Sequence, residues 1–453
     1  DLRVLSPRRE DVEYFAWHHE GFFFISTNHE AKNFRLMKAS VHQPELEHWI
    51  EVIPHREDVL LEWVDSFKDY IVLYERQNGL RQIRISSPDA LSQVRYVNFP
   101  EPAYYVELES NPEYDTNILR FRYSSLITPP SVIDYHMDSG EWQVIKRDEI
   151  PSGYDISQYV SERTYAVAAD GKFIPISLVY KKDLVRDGSN PTLLYGYGAY
   201  GASIDADFNS RRFSLLDRGF VFAIGHIRGG SEMGRTWYEE GKLFNKKNTF
   251  TDFIACAEHL IKEGFTSKEK LAIEGGSAGG LLVSACLTMR PDLFKAVIAK
   301  VAFVDVVTTM SDPTIPLTTL EYDEWGNPDN YELYQYMMSY SPYDNIRPTQ
   351  YPHLLITTGL NDPRVAYWEP AKFAAKLREV KTDNNLLLLQ TNYASGHAGA
   401  SGRYDSLKEV AIDYAFLIHT LCTYTPPVVQ DQIALSTIPL NVELSEAASA
   451  AIP

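Results

Sequence analysis

The chain is predicted to be an α/β protein whose parallel-sheet part follows a sheet-only part, and three observations carry that expectation. Its 453 residues exceed the size at which one hydrophobic core stops growing, so two domains are expected. Short β-rich runs recur at a regular spacing through the first third. Beyond residue 156, strands alternate with helix-length segments. The boundaries drawn from this are 1–155 and 156–425, followed by a weakly ordered tail over 426–453 that is rich in Pro, Ser and Ala.

The runs Tyr14 to Trp17, Gly21 to Ser26, Tyr70 to Tyr74, Gln82 to Ile85, Tyr104 to Glu107 and Ile118 to Tyr123 concentrate β-branched and aromatic residues between turn formers. Phe22, Ile71 and Leu119 open comparable strands 49 and 48 residues apart, the period of four-stranded β-propeller blades. About three blades are expected. Propellers close with roughly four to eight blades, so the others are expected ahead of Asp1; a small unrelated sheet domain is the alternative. The chain opens on Asp1 rather than Met with no basic-then-apolar leader, which reads as a processed, trimmed or incomplete chain. The lack of a targeting signal therefore carries no information.

Pro151 and Gly153 mark a linker over 147–162. Strands are then expected at Thr164 to Ala168, Ile174 to Tyr180, Thr192 to Tyr195, Val221 to Ile224, Leu271 to Glu274, Ala296 to Val301 and Leu354 to Thr358. Helices are expected at Phe250 to Glu263, Gly279 to Met289, Glu369 to Val380 and Ser406 to Thr420, and such alternation implies crossovers and a mostly parallel sheet.

Composition narrows the partners. A net charge of -18 excludes a nucleic-acid binder, which needs clustered Lys and Arg, and favours cationic ligands. No run approaches the ~18 apolar residues of a membrane span, so a soluble protein with no membrane partner is expected. Cys256, Cys286 and Cys422 are too few for a disulfide framework and lack metal-ligand spacing. A reducing, cytoplasmic setting is the expectation, with no metal or cofactor.

The chemistry is concentrated after three strands. Leu271 to Glu274 runs into Gly275-Gly276-Ser277-Ala278-Gly279-Gly280 and then a helix, the G-x-S-x-G elbow of an α/β-hydrolase in its required context. The turn is so tight that flanking residues must lack bulk, which forces the Ser277 hydroxyl out at the sheet top. A serine hydroxyl needs a base, and the base needs an acid that fixes its tautomer. Asp362 follows the strand Leu354 to Thr358, 85 residues beyond Ser277, and His397 follows the run Leu386 to Leu389, 35 residues further. A lone loop histidine is ordinarily a solvated surface group and an Asp before Pro a turn former; the order Ser, Asp, His after successive strands reverses that reading. The amide of Ala278 supplies one oxyanion donor. A tyrosine of the Gly-rich loop Tyr195 to Gly201 is a candidate for the second, unless its phenols only pack the loop.

The chain also resembles the prolyl oligopeptidase family of serine peptidases. The likeness runs through Tyr195 to Gly198, Ser203 to Asp207, His226 to Gly230, Gly275 to Gly280, Phe303 to Met310, Glu321 to Pro328, Asn361 to Arg364, and Gly396-His397. The blades look like the last part of that family's propeller. The resemblance implies Ser277, Asp362 and His397 as the triad, the Tyr197 hydroxyl with the Ala278 amide as oxyanion hole, and Arg364 as a ligand of a peptide carbonyl. It points most closely to the branch that cleaves after Arg or Lys and prefers basic pairs, with Glu321 and Asp323, and Asp205 and Asp207, as the acids of two pockets. Paired carboxylates suit a guanidinium, which they hold bidentately. Asp323 stands where some relatives have Glu, one methylene shorter, which leaves the choice between Arg and Lys open. The substrates expected are short basic peptides; the oligomeric state is open. The alternatives are a solvated charged turn at the acids, an esterase or acylaminoacyl peptidase on the same triad, or an inactive scaffold lacking part of the propeller.

Overall fold

The computed structural model describes residues 4–422 apart from 152 and 403; the expected tail over 426–453 lies outside the described residues. Three four-stranded antiparallel sheets come first. They comprise β1–β4 (Tyr14–His19, Phe22–Thr27, Arg35–Ser40, Ile50–Ile53), β5–β8 (Val59–Ser66, Ile71–Gln77, Leu80–Ser87, Ala90–Tyr96) and β9–β12 (Tyr104–Leu108, Ile118–Ser125, Ser131–His136, Trp142–Arg147). Phe22 and Ile71 open the second strand of their sheets and Leu119 is the second residue of its own, so the period seen in the sequence is the repeat of one sheet. Successive sheets pack face to face. Phe24, Leu36, Leu61, Val64, Ile71 and Leu73 fill the space between the first and second, and Tyr74, Ile83, Ile85, Leu119, Phe121 and Tyr123 that between the second and third. In β10 the inward Leu119, Phe121 and Tyr123 alternate with exposed Arg120 and Arg122, the period-two pattern of a strand with one face in a core.

An eight-stranded sheet follows, made of β13 (Tyr159–Val167), β14 (Phe173–Lys181), β15 (Thr192–Tyr195), β16 (Val221–Gly225), β17 (Leu271–Gly276), β18 (Ala296–Lys300), β19 (His353–Gly359) and β20 (Leu387–Asn392). The order is β13-β14-β16-β15-β17-β18-β19-β20, with the six strands from β16 onward parallel to one another and the first two antiparallel. Leu271, Ala272 and Ile273 of β17 are wholly buried because helices cover both faces, as parallel sheets require. Ile273 belongs to the core under the helices Lys247–Lys262, Ala278–Met289 and Trp368–Val380, whereas Ala272 belongs to the core under Asp405–Leu421. This is the α/β-hydrolase arrangement.

The linker expectation differs from the structure at one end. β13 starts at Tyr159, inside the segment read as a linker, and pairs with β14 over its whole length. Its residues Ser161, Glu162 and Arg163 are polar because β13 is the sheet edge and meets solvent, so no apolar period announces it.

Polar ties join the sheets of the first part to the second. Arg76 of β6, 2% exposed, donates from Nε to Glu62 at 2.6 Å and from Nη1 to Asp205 at 2.7 Å. The Arg235 amide donates to Asn33 Oδ1 at 2.7 Å. Among the described residues no helix is long and apolar enough to cross a membrane.

Candidate active site

The turn after β17 is built as the motif demands. Ser277 sits at φ 58 and ψ -119, a strained conformation for a residue with a side chain, at a cost on the order of 1–3 kcal/mol. It is held there on both sides. The Ser277 amide donates to Lys300 O at 2.9 Å, and its carbonyl accepts from Gly280 at 2.9 Å as the helix Ala278–Met289 begins. A Cβ on Gly275 would collide with Gly279 O, so strand and helix approach within the space only glycine leaves.

Asp362 and His397 are brought together by the loops after β19 and β20. Asp362 Oδ1 accepts the amides of Arg364 at 2.8 Å and Val365 at 3.0 Å, which leaves Oδ2 to face His397 Nδ1 at 2.7 Å. The Asp362 side chain is wholly buried, while His397 is 16% exposed. With Nδ1 engaged by Asp362, Nε2 is the ring nitrogen that this contact leaves open. Ser277 and His397 share no hydrogen bond in this conformation. The serine and histidine loops leave the same rim of the sheet, since β17, β18, β19 and β20 are consecutive parallel neighbours.

A cavity of roughly 310 Å³ opens at Ser277 and is lined by Ala278, Tyr197, Tyr200, Phe303, Glu321 and Arg364, among others. Burial, then the neighbouring Tyr195 and Glu321, pushes the Tyr197 phenol up to about 12, so it remains a proton donor at neutral pH. Glu321 Oε2 accepts from Tyr200 Oη at 2.8 Å and Trp325 Nε1 at 2.6 Å. The guanidinium of Arg364 forms no hydrogen bond or ion pair among the described residues.

The four acids expected to bind substrate are distributed unevenly. Glu321 alone lines the Ser277 cavity; Asp323 is exposed. Asp205 is engaged by Arg76, and Asp207, 58% exposed, stands 3.9 Å from Arg212. Both of these line a second cavity, of about 540 Å³, walled also by Tyr105, Arg211 and Lys300. Residues outside the sequence reading also build the site. Glu324, 3% exposed, accepts from the Tyr200 amide at 3.1 Å and from Tyr238 Oη at 2.7 Å, and Trp325 anchors Glu321. Glu321 precedes the short helix Tyr322–Trp325, and the four-residue step between them, which one helical turn brings within reach, is the signal the sequence carries. Among the described residues no group of three or more His, Cys, Asp or Glu side chains is placed to hold a metal ion.

A strand-elbow-helix nucleophile on such a sheet, preceded by packed four-stranded sheets, defines a propeller-bearing α/β-hydrolase. Sequence comparison agrees, matching "Prolyl oligopeptidase family" over residues 206–423 and "Prolyl oligopeptidase, N-terminal beta-propeller domain" over residues 1–148. The chain belongs to the prolyl oligopeptidase family. It is 47% identical to "Dipeptidyl aminopeptidase BI" of Pseudoxanthomonas mexicana over 92% of this chain and 58% of that protein. With "Protease 2" of Moraxella lacunata the identity is 46%, over 93% of this chain and 60% of the relative. Among solved structures, oligopeptidase B from Leishmania major superposes with a TM-score of 0.86 at 45% identity, covering 93% of this chain and 60% of that one. Oligopeptidase B from Trypanosoma brucei with covalently bound antipain gives 0.85 at 46%, covering 92% and 60%. The chain thus spans about 58–60% of the length of these relatives.

Proposed function

We propose that this chain is the catalytic portion of a serine oligopeptidase that cleaves short peptides after Arg or Lys and prefers basic pairs. Ser277 Oγ attacks the scissile carbonyl carbon as His397 takes its proton, while Asp362 holds the imidazole in the tautomer that accepts at Nε2. The Tyr197 hydroxyl and the Ala278 amide stabilise the oxyanion, and Arg364 holds a carbonyl of the peptide. The amine leaves with the proton from His397, giving an acyl-enzyme, which water hydrolyses with the same base. Glu321 receives the basic side chain of the residue before the cut; Asp323, Asp205 and Asp207 add negative potential around it and its neighbour. A reducing, cytoplasmic setting suits the three free cysteines.

The observation that carries this reading is one cavity lined by Ser277, Tyr197, Ala278 and Glu321, the last held in place by Tyr200 and Trp325. A carboxylate there gives no advantage to an apolar acyl group, which argues against the esterase and acylaminoacyl alternatives. The relative named a dipeptidyl aminopeptidase favours a second reading, release of N-terminal dipeptides. Three fluorogenic substrates separate the readings: a blocked Arg-Arg peptide, a free Arg-Arg dipeptide and acetyl-Ala. The blocked basic peptide should have the highest kcat/KM; preference for the free dipeptide would favour the exopeptidase, and preference for acetyl-Ala would overturn basic specificity.

A further inference from the structure

Beneath the Ser277 cavity lies a cation that the mechanism above does not use. Lys246 is 1% exposed, and its ammonium donates to the carbonyl of Gly198 at 2.6 Å. The same ammonium stands 4.9 Å from the centroid of the Trp325 ring, a cation–π distance. No carboxylate pairs with it directly among the described residues; Glu324 acts on it from further away. An apolar chain of the same length would fill this space without the desolvation cost of an ammonium, so packing alone does not account for a lysine here.

Its two partners belong to the two halves of the site. Gly198 follows Tyr197, the candidate oxyanion donor, and precedes Tyr200, which fastens Glu321. At φ +74 the Gly198 backbone takes a form that side-chain residues rarely adopt, and a Cβ there would collide with Thr249 and crowd Ile227. The loop is thus clamped from below, with the Lys246 ammonium on the Gly198 carbonyl and Thr249 Oγ1 at 3.5 Å from the same oxygen. Trp325 is the second donor to Glu321, and Glu324, next to it, accepts the Tyr200 amide.

We propose that Lys246 is a positioning residue, whose buried ammonium fixes the Tyr197–Tyr200 loop against Trp325 and thereby sets the oxyanion donor and the Glu321 carboxylate at a fixed separation. The inference rests on the peptidase reading above and deepens it. Charge is the active ingredient, because a neutral amine loses the attraction to the indole face and to Glu324. Burial lowers the Lys246 pKa to about 8, with Glu324 opposing that shift. The titratable groups of the elements packed about it are Glu324 on the turn Tyr322–Trp325, Tyr197 and Tyr200 on the loop that Lys246 holds, Tyr238 through its bond to Glu324, and Tyr336, whose hydroxyl accepts the Lys247 amide, with Tyr340 against its ring. Burial raises all five phenols, so they stay neutral where Lys246 titrates. Activity should therefore fall as the pH rises through about 8 and Lys246 loses its proton.

The test is steady-state kinetics of the intact protein on a blocked Arg-Arg substrate from neutral to alkaline pH, in wild type, Lys246→Met and Lys246→Arg. Lys246→Met should lower kcat by about 10- to 100-fold, the scale of a misplaced catalytic group, while a fluorophosphonate still labels Ser277. Its thermal midpoint should stay near that of wild type, since relief of a buried charge offsets the donor lost to the Gly198 carbonyl. Wild type should show the alkaline decline; Lys246→Met should lack it, and Lys246→Arg, whose cation does not titrate, should lack it while retaining more activity. A Met variant with wild-type kcat, or an Arg variant with the wild-type alkaline decline, overturns the inference. A wild type that is labelled at Ser277 yet ignores Arg substrates overturns the specificity reading, and this inference with it.

Discussion

Glu321 Oε2 is held by a phenol and an indole of its own protein, so the negative charge it offers is fixed before a substrate arrives. Such preorganisation spares the binding step the cost of ordering a long side chain. Glu321→Gln keeps the shape and removes the charge. It should lower kcat/KM for Arg substrates by about one to three decades, the scale of a lost buried charge partner at roughly 2–5 kcal/mol, and change acetyl-Ala turnover little. Equal turnover of the Arg substrate by both forms would show that this acid does not read the substrate. At this scale the sequence was informative where chemistry restricts residue type: small neighbours around Ser277, and Asp362 and His397 after strands. It was silent on Lys246. Lys242 and Lys247 lie over the rings of Tyr238 and Tyr336 and are partly exposed, whereas Lys246 between them is buried, and no pattern in that run of lysines separates the three.

At the scale of elements, the elbow is a collision avoided. β17 and the helix Ala278–Met289 meet so closely that Gly275 has no room for a Cβ beside Gly279 O, while a Cβ on Gly276 would find its nearest neighbour 3.7 Å away at Lys300. Gly275→Ala should therefore destabilise the fold by about 1–3 kcal/mol or more, as overpacking does, and reduce labelling of Ser277. Gly276→Ala, one residue along, should leave the space intact. Thermal melts of the two variants decide it; equal midpoints would mean that the elbow is not under this constraint. Strands with one core face were legible because apolar residues alternate, as in β10. The polar edge strand β13 was hidden by the same physics, since a strand facing solvent on its edge carries no such alternation.

At the scale of the whole molecule, the parallel order β17-β18-β19-β20 delivers the three chemical groups to one rim from loops far apart in the chain. The Asp362–His397 pair is already formed, and the serine waits at its strained turn. One tie between the propeller-like sheets and the catalytic part runs through Arg76 and Asp205, 129 residues apart, a pairing that no local sequence pattern marks. It also gives Asp205 a structural partner, whereas Asp207 is more exposed and stands 3.9 Å from Arg212. The account as a whole depends on Ser277 being activated by His397. Quantitative fluorophosphonate labelling of the intact protein, with the modified peptide mapped, tests this most directly. One label per chain at Ser277 is expected, absent in Ser277→Ala and slowed by orders of magnitude in His397→Ala; labelling at another residue, or an undiminished rate in His397→Ala, would contradict it.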